Sequence, residues 1–75
     1  MSTFERLRAV MATILQVSED EIRPDAARDA LEAWDSVQHL NLMLALEDEF
    51  GVRLDVDALQ SLTSVPKILA YLEGA

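Results

Sequence analysis

No cysteine occurs among the 75 residues, so no disulfide closes the fold and no protein thiol is available as a nucleophile or metal ligand. Any thiol chemistry has to be imported. Glycine and proline number two each, which speaks against a disordered chain and for a compact one rich in helix-forming Ala, Leu and Glu. No segment approaches the ~20 apolar residues of a membrane span. The apolar stretch from Ala9 to Leu15 follows Glu5 and precedes no small-residue cleavage site, so it reads as helix periodicity rather than a signal peptide. The cytoplasm is the expected compartment. Positive charge is also scarce. Six basic residues face fourteen acidic ones, for a formal charge of −8. Such a balance repels nucleic acid and anionic membrane surfaces and suits partners with basic patches. The single histidine has no cysteine or metal-ligand cluster around it. The acidic residues lack the Asp/Asn-Gly-Glu spacing of a calcium loop, and no metal site is expected.

What is present is apolar and periodic. Half of the chain, 51%, is hydrophobic, and its length suits one domain over residues 1–75. Phe4, Leu7, Val10, Met11, Ile14 and Leu15 recur at steps of three and four, predicting a first helix over about residues 3–16. Ser2 and Glu5 stand at capping-box spacing at its start. From Val17 to Ala33 the pattern weakens around Pro24 and a run of charges, predicting a long loop with a short turn near residues 18–22.

Asp35 supplies an N-cap, Gln38 stands at the capping-box position and Gly51 offers a stop, so a second helix is predicted over 36–50. Val37, Leu40, Leu42, Met43, Leu44, Leu46 and Phe50 spread over an arc of roughly 200°, wider than the ~100° stripe of a surface helix. That width predicts a central helix covered from more than one side, with Gln38, Asn41, Asp48 and Glu49 on the solvated face. Asp55 or Asp57 can cap a short third helix through about Leu62. Ser64 can cap the last, whose first turn tolerates Pro66 and whose buried face is Val65, Ile68, Leu69 and Leu72. The fold class is all-α: a small four-helix bundle, three main helices plus a short third, with a long loop between the first and second.

The segment Trp34-Asp35-Ser36-Val37, followed by Leu40, Leu44 and the run Ala45-Leu46-Glu47-Asp48-Glu49-Phe50-Gly51, resembles the acyl carrier protein family. There an Asp-Ser-Leu triplet opens the second helix and a Leu-Glu-x-x-Phe segment closes it. The likeness covers essentially the whole chain, down to the Thr63-Ser64-Val65 opening of the last helix. It implies a stand-alone carrier, with 4′-phosphopantetheine attached covalently to Ser36 and an acyl, aminoacyl or polyketide group held as a thioester on the arm. Asp35 caps the helix and belongs, in the family, to the sequence read by the phosphopantetheinyl transferase. The other implied partners are a loading ligase and downstream synthase or transferase enzymes. The carrier is expected to be a monomer and to catalyse nothing itself.

The physics of the triplet agrees with this. A serine at the first helical position lies beside free backbone N–H groups and the positive end of the helix dipole, both of which favour a phosphate. Val37, Gln38, Asn41, Glu47 and Asp48 are the candidate docking residues. Family members serving fatty acid synthesis commonly carry acidic residues where this chain has Gln38 and Asn41, which points to a dedicated pathway. His39, one turn after Ser36, either reaches the thioester or packs on Trp34 and bonds a loop group. Trp34 reads as a lid over the top of the bundle, and Met11 and Met43 as core fillers. The other account of the same charge and helices is an acidic interaction module without a prosthetic group, in which Ser36 has no role.

Overall fold

The computed structural model describes residues 2–74. It contains four α-helices: α1 over Thr3–Leu15, α2 over Ser36–Phe50, α3 over Val56–Ser61 and α4 over Val65–Gly74. Short 3₁₀ turns at Glu19–Glu21 and Arg28–Ala30 interrupt the long loop between α1 and α2. The bundle is all-α as its periodicities predict. Each predicted N-cap residue makes its bond, although Gln38 does not complete a capping box on α2. Ser2 and Glu5 close a reciprocal capping box on α1. Asp35 accepts from the Gln38 amide at 2.9 Å. Asp55, rather than Asp57, accepts from the Ala58 amide at 2.8 Å, and the Ser64 hydroxyl accepts from the Lys67 amide at 3.2 Å.

Helix α1 ends at Leu15, one residue earlier than its pattern suggests, because Gln16 turns left-handed with φ 57°. The Val17 amide then bonds back to the Ala12 carbonyl at 3.2 Å, which also accepts from the Gln16 amide, the backward bond of a left-handed helix end. Gly51 ends α2 at φ 63°, a conformation that suits a residue without Cβ.

The core gathers Leu7, Met11 and Leu15 of α1, Leu42, Met43 and Leu46 of α2, and Val65 and Ile68 of α4, with Ile22 and Trp34 from the loop. Two predicted features of α2 need correction. Val37, Leu40 and Leu44 do not belong to the buried arc: they are 70%, 54% and 58% exposed. Nor is α2 the central helix. Helix α1 lies against α2, α4 and the first 3₁₀ turn, and so takes that place. The apolar width of α2 is a sum of two stripes. His39, Leu42, Met43 and Leu46 face the core, while Val37, Leu40 and Leu44, at steps of three and four, make a separate row that no helix covers.

The long loop is better tied than its sequence suggests. The Arg28 amide donates to the Thr63 carbonyl at 2.8 Å and the Val65 amide to the Ala26 carbonyl at 2.7 Å, so Ala27 and Ser64 form an isolated antiparallel bridge. The Arg8 side chain holds the Ile22 carbonyl at 3.0 Å, and the Glu21 carboxylate accepts from the Ser18 amide at 3.0 Å and from its hydroxyl at 3.3 Å. The second 3₁₀ turn had no signal in a stretch of mixed charge. Among the described residues there is no strand beyond that bridge, and no helix is long and apolar enough to cross a membrane.

Candidate functional site

Three structural decisions converge on the start of α2. Asp35 leaves the helix in extended backbone and turns its carboxylate onto the Gln38 amide. That puts Ser36 first in the helix, exposed, with its own side chain not spent on capping. The Gln38 side chain does not complete a capping box: its Oε1 accepts from Asn41 Nδ2 at 3.0 Å instead, one turn along the same face. Finally Trp34, only 2% exposed, anchors the residue that precedes the cap.

Trp34 is fixed by His39. Its indole N–H donates to His39 Nδ1 at 2.9 Å, and the two rings lie at an interplanar angle of 28°. His39 Nε2 lies 2.6 Å from the Leu59 carbonyl. Since Nδ1 accepts, Nε2 carries the ring hydrogen and donates it to Leu59, which assigns a neutral imidazole with both nitrogens occupied. Trp34 and His39 flank the cap as a staple, five residues apart, and bind α2 to α3 beneath Ser36. The carbonyl partner is in α3 rather than in a loop. Of the two roles open to His39, the packed one is realised.

Ser36 has a neighbour that its sequence context did not reveal. The Arg28 guanidinium donates through Nη2 to Ser36 Oγ at 2.9 Å and through Nε to the Trp34 carbonyl at 3.3 Å. Its backbone is held by the bridge to Thr63. In the sequence Arg28 is one charge among many in a weakly patterned loop. What could have marked it is that it is basic in a segment dominated by acids.

The docking candidates separate by environment. Val37, Asn41 and Asp48 are exposed, and Gln38 is partly covered. Glu47 is not a free surface charge, because its Oε2 accepts from the Leu54 amide at 2.8 Å and braces the turn between α2 and α3. Leu40 and Leu44 join Val37 on the exposed row and were missed as surface residues by the width of the arc. Met11 and Met43 are fully buried in the core. Neither lines the groove beside Arg28, Trp34 and Lys67 or the one between α1 and α2 at Val10, Ile14 and Ala45. Among the described residues no cluster of His, Asp or Glu is arranged to hold a metal ion.

These residues fit a phosphodiester: an exposed hydroxyl at the first position of a helix, a guanidinium on its oxygen and a neutral floor of indole and imidazole. Comparison with known proteins points the same way. Residues 5–72 match the family model described as "Phosphopantetheine attachment site". The chain is 32% identical over 74 residues to the acyl carrier protein of Nitratidesulfovibrio vulgaris Miyazaki F, covering 99% of this chain and 97% of that one. It is 31% identical, with the same coverage, to the acyl carrier protein of Helicobacter hepaticus.

Proposed function

Because the chain belongs to the phosphopantetheine attachment-site family, as an acyl carrier with 4′-phosphopantetheine in covalent linkage, we propose that Ser36 is the residue that carries the group. The observation behind this assignment is the Ser36 hydroxyl: exposed, first in α2, relieved of capping by Asp35, and within 2.9 Å of a cation. When bound, the group supplies a terminal thiol, which the chain itself lacks. In this reading Ser36 Oγ would bond to the phosphorus that bears the pantetheine arm of coenzyme A, the P–O bond of the diphosphate bridge would break with adenosine 3′,5′-bisphosphate as the leaving group, and the transferase would remove the hydroxyl proton. Asp35 sets the helix start that the transferase reads. Trp34 and His39 hold that start still, and partner enzymes perform the chemistry on the thioester.

The same proposal makes the exposed row Val37, Leu40 and Leu44, with Asn41, Gln38 and Asp48 beside it, the face that partners touch. With neutral Gln38 and Asn41 at its top, this face suits loading by a dedicated ligase rather than by generic fatty acid synthase enzymes. A cytoplasmic monomer serving one biosynthetic pathway completes the reading. Family membership displaces the account of a bare acidic interaction module.

The test is intact mass and thiol content after incubation with coenzyme A, Mg²⁺ and a permissive phosphopantetheinyl transferase. Wild type should gain one arm and one thiol, and Ser36→Ala neither. A wild type that stays unmodified under conditions that load another carrier protein, or a loaded Ser36→Ala, sinks the assignment of Ser36.

A further inference from the structure

A guanidinium offers five N–H donors in a rigid fork and is built to meet the paired oxygens of a phosphate or carboxylate. Among the described residues two of the six basic side chains, Arg6 and Arg23, pair with carboxylates, Glu49 and Asp25, at 3.2 and 3.8 Å. Arg8 turns instead to the Ile22 carbonyl and the Phe4 ring. Arg28 is the one that ends on the Ser36 hydroxyl. Its hydrogen bonds go to two neutral acceptors, the Trp34 carbonyl and Ser36 Oγ, and among the described residues it takes part in no ion pair. Its position is set from both ends. The backbone is pinned to Thr63 across the bridge, and Nε is pinned to the residue stapled by His39.

We infer that Arg28 is a phosphate clamp: once Ser36 is modified, its guanidinium pairs with the phosphodiester oxygens and fixes the root of the arm against the end of α2. The inference rests on Ser36 being the modified residue. The chemistry is that of a cation already donating to the oxygen that becomes the ester bridge. Phosphorus bonded to Ser36 Oγ brings its anionic oxygens within reach of the same fork. The exchange then replaces a single bond to a neutral hydroxyl by bonds in which donor and acceptor both carry charge and to which the guanidinium fork can contribute two parallel N–H groups. The clamp also answers an electrostatic problem. The arm adds a negative charge to a chain already at −8 and sets it near Asp35. Arg28 is the cation placed to offset it. Arg28 does not block loading, since it donates to Ser36 Oγ and leaves the hydroxyl proton free to be removed.

The experiment compares thermal midpoints of apo and holo protein for wild type, Arg28→Gln and Arg28→Lys, each driven to complete loading and checked by mass. Holo wild type should melt roughly 4–8 °C above apo, the scale on which one such interaction moves a domain of this size. The gain should fall by about 3 °C or more in Arg28→Gln. Arg28→Lys keeps the charge and loses the fork, so it should retain part of the gain at low salt and less at high salt. A gain reduced by less than about 3 °C in Arg28→Gln overturns the clamp while leaving Ser36 as the modified residue. Should Arg28→Gln fail to fold, a gain in Arg28→Lys equal to that of wild type overturns it. Absence of the mass increase at Ser36 removes the premise and the clamp together.

Discussion

The indole N–H of Trp34 and Nδ1 of His39 meet at 2.9 Å in the interior of the protein, one polar pair that joins the residue before the helix cap to the helix it opens. A buried donor and acceptor that satisfy each other cost little. Either one alone bears the full desolvation penalty of an unpaired group.

His39→Leu is therefore expected to destabilise by about 1–3 kcal/mol, since it orphans both the Trp34 N–H and the Leu59 carbonyl. Trp34→Phe should also destabilise. The double mutant should cost less than the sum, by a coupling of about 0.5–3 kcal/mol. Urea unfolding of the four proteins measures it, and strict additivity would contradict a direct bond. The emission of Trp34, the single tryptophan, reports the same site.

Leu46 is fully buried in α2, on the stripe that faces the core. Leu46→Ala should cost about 2–5 kcal/mol, a large share of the stability of a domain this small. A loss under ~0.5 kcal/mol in chemical denaturation would be incompatible with a site this closely packed.

Two neighbouring acids at the end of α2 should behave differently. Glu47→Ala frees the Leu54 amide and should lower stability by about 1 kcal/mol, whereas Asp48→Ala, at an exposed position, should stay within ~0.5 kcal/mol. If Asp48 is a docking charge, its loss weakens binding to a partner enzyme with a basic patch at unchanged fold. Equal effects of the two substitutions on denaturation would contradict the brace at Glu47.

Gln38→Asp with Asn41→Glu places acids in the first turns of α2, where they suit the helix dipole. Stability should change by no more than ~0.5 kcal/mol, the lost bond between the two amides being a surface one. Turnover by fatty acid synthase enzymes should rise. Unchanged turnover would remove the support these two residues give to a dedicated pathway.

Helix bounds and caps were legible because they depend on short-range chemistry: Asp35, Asp55 and Ser64 each bond an amide three residues on. Ser36 stands out in the sequence as the proposed attachment residue because it follows Asp35 at the same local start. What could not be read was whichever face a neighbour leaves open. Val37, Leu40 and Leu44 have the same apolar character as Leu42, Met43 and Leu46, and the placement of neighbours such as α1 separates them. Arg28 was hidden for a related reason. Its significance depends on the bridge between Ala27 and Ser64, a pairing of segments far apart in the chain that leaves no period in either.

That bridge has a consequence for motion. The amide protons of Arg28 and Val65 lie where irregular chain would ordinarily exchange with solvent through small local openings, yet both are held by bonds of 2.8 and 2.7 Å to a distant segment. Releasing them requires the start of α4 to part from the loop, which makes their exchange with deuterium a measure of that separation rather than of fraying within the loop. On the proposal that Ser36 carries the arm, the end of the molecule that bears it is held still, and the reach towards partner enzymes falls to the arm.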